Sequence, residues 1–156
     1  MQNTEFLSSD EIRLLTEIGM LGTAARLHEP ALTMFQALAE LRPGRDFPWV
    51  GQAVVWLNRS QPEEAVRVLK KACECVQDVP AALRSAHPAD LTLLTAFLGF
   101  AQHLARHTAD SHQTLSQVLN MPHHPHAYAI AQDMLGMRMG KPGTDPQLNP
   151  QMETPP

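Results

Sequence analysis

The chain has 156 residues, with 12 basic and 16 acidic side chains and a formal charge of −4. That length fits one domain or one short repeat array, and the charge lacks the basic excess that phosphate binding requires, so nucleic acid is not expected as a partner. Hydrophobic residues at 44% and charged residues at 18% exclude a wholly disordered chain, and few aromatics at 5% with 8 methionines favour helical packing, so the expected fold is all-α.

The longest apolar run, Ala53 to Leu57, is five residues, far short of the roughly 20 of a membrane helix. The first 15 residues carry acids where a secretory signal carries bases, so a cytoplasmic location is expected. The two cysteines, Cys73 and Cys75, diverge on a helix and do not suit a mutual disulfide.

In chain order, Ser8 and Glu11 form a capping box that opens the first helix. Leu14, Leu15, Ile18, Leu21 and Ala25 then give one apolar stripe to about Leu27. Pro30 fits a first helical turn, and Ala31, Met34, Phe35, Leu38 and Leu41 continue the period until Arg42-Pro43-Gly44 ends it, which makes a helical hairpin. Asp46 and Pro48 start a third helix carrying Trp49, Ala53, Trp56 and Leu57. Ser60 and Glu63 read as a second capping box before a helix with Ala65, Val66, Leu69 and Ala72 on one face, as far as about Val76.

These hairpins repeat. Leu15, Ile18, Gly19, Ala31, Phe35 and Pro43 recur 34 residues later as Trp49, Gln52, Ala53, Ala65, Leu69 and Gln77, and four of the six pairs keep their class. The skeleton resembles the tetratricopeptide signature, from which Gln52 and Gln77 depart. After a connector over 77–90, Leu91, Leu94, Leu98, Gly99 and Ala101, then Leu115, Val118 and Leu119, suggest a third unit offset by 46 residues. Tyr128, Ile130, Met134, Leu135 and Met139 read as a capping helix. The expected organisation is a repeat domain over 1–139, with units at about 12–45, 46–79 and 92–122 and a cap at 126–139. A disordered tail follows over 140–156, which holds five prolines.

Catalytic signatures are missing: the chain has no Gly-rich phosphate loop, nucleophile elbow or Cys-x-x-Cys pair, so no enzyme and no cofactor is expected. His103, His107, His112, His123, His124 and His126 cluster in sequence, and His103 and His107 lie one turn apart, but no carboxylate is placed as a third ligand, so no metal is expected. Asp110-Ser111-His112 reads as a helix start, because adjacent residues do not make a catalytic triad. Both cysteines read as core thiols rather than redox groups.

In such an array the first helix of each hairpin lines the inner face. Its expected lining is Thr16 and Met20 from the first unit, Val50, Val54 and Leu57 from the second, and Ala96, Phe100 and His103 from the third. These positions lack the Lys, Arg and Asn that clamp a carboxyl terminus, so the expected ligand is an amphipathic helix docking its apolar face.

Leu14-Leu15-Thr16-Glu17-Ile18-Gly19-Met20-Leu21-Gly22-Thr23, with Leu27-His28-Glu29 and Ala31 behind it, resembles the first repeat of the cytosolic needle-subunit chaperones of bacterial type III secretion. The resemblance covers residues 12–76 and is architectural beyond them. It implies a tetratricopeptide-like protein that holds the amphipathic C-terminal helix of a secreted needle subunit in its groove, with a small helical co-chaperone on another surface. Met20, Val50, Val54 and Leu57 are the subunit contacts it implies. A translocator chaperone, an export-apparatus chaperone and a general tetratricopeptide interaction scaffold are the alternatives.

Overall fold

A computed structural model describes residues 7–78 and 89–137, and among these every regular element is helical: α1 Ser9–Ala24, α2 His28–Leu41, α3 Phe47–Asn58, α4 Pro62–Asp78, α5 Ala89–Leu104, α6 Thr108–Val118 and α7 Pro125–Met134. The expected tail over 140–156 and most of the expected connector lie outside the described residues. Of that connector, Gln77 and Asp78 continue α4 and the last two residues begin α5.

Consecutive helices pack as hairpins, and the order of packing is regular. α1, α3, α5 and α7 lie side by side, while among the described residues α2, α4 and α6 pack on these first helices and not on one another. A layer in mutual contact backed by a splayed one curves toward the contacting side, so α1, α3, α5 and α7 form the inner face.

The hairpins share one turn. α1, α3 and α5 each end in a residue with left-handed backbone, Arg26 at φ 62°, Ser60 at φ 59° and Arg106 at φ 65°, and α7 ends the same way at Gly136, φ 69°. Each is followed by the bond of a Schellman motif, in which the N–H of Leu27, Gln61, His107 and Met137 donates to the carbonyl of Gly22, Trp56, Gln102 and Gln132 at 2.8 to 3.0 Å. α7 is thus built as a fourth first helix.

Packing repeats with the turns. A Cβ added at Gly19 would fall 2.8 Å from the Phe35 ring, and one at Gly99 would fall 2.6 Å from Leu115, so the small residue of each first helix admits the large residue of the second. Ala53 and Leu69 hold the same places in the middle hairpin, and both are fully buried. The result is three successive cores: Ala31, Leu32, Phe35, Leu38 and Val55 join α2 to α3, a second core joins α3 and α4 to α5, and Ala96, Leu115, Val118, Ala127 and Ala131 join α5 and α6 to α7. Each buried Leu or Phe contributes roughly 1.5–3 kcal/mol.

At the N-terminus the capping box forms as expected. The Glu11 N–H donates to Ser8 Oγ at 3.3 Å, and the Ser8 N–H donates to Glu11 Oε2 at 2.7 Å. The Ser8 backbone N–H, then its hydroxyl, hold the Glu11 carboxyl below its ordinary value. A depressed carboxyl contributes stability above its unfolded pKa and loses it as pH falls through the lowered folded value. Ser8→Ala is therefore expected to lower the melting temperature at neutral pH by more than it does in that acidic window, a comparison that thermal melts across pH will make.

Two sequence expectations are corrected, and one helix end is explained. Ser60 caps nothing: it is the left-handed residue that ends α3, and Glu63 instead meets His107 Nε2 at 3.1 Å. Gln77, where the signature has proline, lets α4 run to Asp78, whereas α2 stops at Leu41 ahead of Pro43. The α1 stripe of Leu14, Ile18 and Leu21 does not face the hairpin partner, because Gly19 and Thr23 are the buried residues of α1 and these three are exposed.

Candidate functional site

The inner face takes its side chains from equivalent positions on the first helices. The sixth residue before each left-handed turn residue is Met20 on α1, Val54 on α3, Phe100 on α5 and Ile130 on α7, an apolar row crossing all four helices. Met20 is 43% exposed, and Val54, Phe100 and Ile130 are half-buried. Met20, Val54 and Phe100 belong to none of the three cores, whereas Ile130 packs partly on the third. Half-exposed apolar side chains outside a core leave area that a partner can remove from water.

Around this row the expected lining residues divide. Val50 and Leu57 are half-buried and pack on the second core, so they form the floor. Thr16 is half-buried, and its hydroxyl donates to the Ile12 carbonyl at 2.8 Å, which satisfies it within α1. His103 is exposed at the end of α5. Ala96 is not part of an open face: it is 0% exposed, because α7 lies across α5 and closes the third core over it. Ile130 was not among the expected residues, and its signal was Gly136, which sets the α7 register as Arg26, Ser60 and Arg106 set those of the other first helices.

Electrostatically the middle of the face is bare. α3, with sequence FPWVGQAVVWLN, carries no ionisable side chain. Charge lies toward the edges, where Arg13 and Glu17 pair at 3.7 Å on α1 and Arg59, just past α3, bonds Glu29 and stacks 4.9 Å from the Trp56 ring centroid. Such a surface suits the apolar side of a helix rather than an acidic or basic tail.

The groups with latent chemistry are engaged structurally. Ser111 Oγ donates to the Gly99 carbonyl at 2.8 Å in a buried site, so the Asp110-Ser111-His112 run holds α6 on α5. His124 Nδ1 accepts from the Ala127 N–H and caps α7. Among the described residues no three His, Cys, Asp or Glu side chains are grouped to hold a metal ion. Burial pushes the Cys73 thiol above its ordinary value, against an opposing hydrogen bond with Thr95, which keeps it in the unreactive protonated form.

Among the described residues no helix is long and apolar enough to cross a membrane. No protein-family model and no curated protein sequence matches the chain.

Proposed function

We propose that the chain is a tetratricopeptide-like helix-binding chaperone of the type III secretion kind, which covers the amphipathic helix of a needle or similar secreted subunit until export. The observation that carries this reading is the row Met20, Val54, Phe100 and Ile130, half-exposed and outside or at the margin of the cores, on a face whose central helix is uncharged. The 34-residue offset of the first two hairpins and the common turn at Arg26, Ser60 and Arg106 support the repeat assignment.

The physical logic is coverage. A subunit that polymerises through an apolar helix stays soluble only while that helix is buried, and a groove that buries it also blocks assembly. Binding couples to ordering of the cargo helix, so it carries a negative heat-capacity change and derives its affinity from apolar burial. Groups elsewhere that resemble catalytic ones are held in structural contacts, which fits a binding role.

Co-expression with a small secreted subunit that aggregates alone, followed by size-exclusion chromatography with mass determination, tests the reading. A soluble stoichiometric complex is expected. A subunit that stays soluble and unbound would overturn it in favour of a general interaction scaffold.

A further inference from the structure

The arginines of the described residues fall into two groups. Arg13, Arg59 and Arg67 pair with Glu17, Glu29 and Glu64, and Arg42 and Arg45 are engaged as well. Arg26 and Arg106 are exposed, and among the described residues their side chains make no hydrogen bond or ion pair. These two hold the same place in the repeat, as the left-handed residues that end α1 and α5.

The backbone there makes the choice of arginine informative. Glycine takes a positive φ without steric cost, as Gly136 does after α7, whereas a residue with a Cβ is crowded in that region. A guanidinium near a helix C-terminus also answers the helix dipole. Arg59, however, sits at the end of α3 with φ −81°, one position ahead of the left-handed Ser60, so the dipole alone does not require arginine in the strained place.

Both arginines bound the inner face. Each comes six residues after a member of the apolar row, Met20 or Phe100, at the end of the same helix. Of the carboxylates at this rim, Glu29 and Glu63 bond Arg59 and His107, and Asp110 lies in the first turn of α6, where that helix's own dipole favours it. On α1, toward its N-terminal end, Arg13 and Glu17 satisfy each other.

We infer that the helix held on the inner face carries carboxylates along the flank that faces the turns, and that Arg26 and Arg106 select it by pairing with them. The inference rests on the chaperone reading and adds the polar chemistry of the cargo to it. Packed helices lie roughly 8–10 Å apart, so α1 and α5, with α3 between them, are about 16–20 Å apart. A helix laid along the row covers that distance in about 11–13 residues, and about 11 residues make three turns, so carboxylates at i and i+11 stand on one flank and meet one arginine each. The chain's net charge of −4 gives no general attraction for acidic helices, so recognition of this flank depends on the two local charges.

Binding of two synthetic amphipathic helices to the full chain tests the inference. Both carry leucines along one side, and one has glutamates where the other has lysines, at that spacing on both flanks, so that either direction of docking presents them to the turns. Wild type is expected to bind the glutamate helix about tenfold more tightly, with the difference shrinking as salt is raised. Arg26→Gly with Arg106→Gly is expected to remove the difference while holding or raising the melting temperature, because glycine suits both turns. Equal affinity of wild type for the two helices, or a preference that survives the glycine double variant, would overturn the inference and leave the chaperone reading standing. A wild type that binds neither helix would overturn the helix-binding face and the inference with it.

Discussion

Phe35→Ala is expected to be the most damaging single substitution in the first half of the molecule, costing about 3–5 kcal/mol. The ring is 0% exposed and is wedged between two glycines of different helices, so it ties α1, α2 and α3 together at one point. A Cβ at Gly19 would come within 2.8 Å of it, and one at Gly51 within 2.4 Å. The converse substitution should therefore also destabilise: Gly51→Ala pushes a methyl into the ring and is expected to cost about 1–3 kcal/mol. Combining Gly51→Ala with Phe35→Leu should cost less than the two singles summed, because the shorter side chain vacates the space the methyl needs. Chemical denaturation of the three variants checks this. Strict additivity would show that the ring does not mediate contact between the two helices.

Val54→Asp and Phe100→Asp are expected to leave the fold intact and to weaken capture of a secreted helix by at least about a hundredfold, the scale of losing an apolar anchor at an interface centre and leaving a desolvated charge in its place. Both positions are half-buried and outside the cores, which is why stability should hardly change. Ala96→Asp is the contrasting case, since Ala96 is enclosed by Leu115, Val118, Ala127 and Ala131 and a carboxylate there should unfold the C-terminal half. Pull-down of the cargo with circular dichroism of each variant separates the two outcomes. Undiminished capture by both Val54→Asp and Phe100→Asp would contradict the assigned face.

Much of the architecture was legible because its signals are local. The Ser8 and Glu11 box needs only a three-residue spacing, and Pro43 ends α2 whatever lies around it. The 34-residue offset was legible because close helix packing demands a small residue opposite a large one, and Gly19 with Phe35 and Ala53 with Leu69 write that demand into the sequence. What failed depended on neighbours. Ser60 looks like a cap by spacing, but the tight turn between α3 and α4 needs its backbone in the left-handed region. Ala96 has the groove register, but α7 covers it, and no pattern within α5 announces that. The α1 stripe has helical periodicity whether it faces the hairpin or solvent, and only the buried Gly19 and Thr23 decide which side is inside. Of the candidate face, the row through Met20, Val54 and Phe100 could be drawn from register alone. Its extension to Ile130 required seeing that α7 closes on the same turn at Gly136.

The inner-face assignment is tested most directly by photo-crosslinking within the co-expressed complex, with a photoreactive side chain placed at Val54 on α3 or, as the control, at the exposed Lys70 on α4. The cargo helix is expected to crosslink from position 54 and not from position 70. Crosslinking from position 70 with none from position 54 would place the cargo on the outer layer and contradict the account.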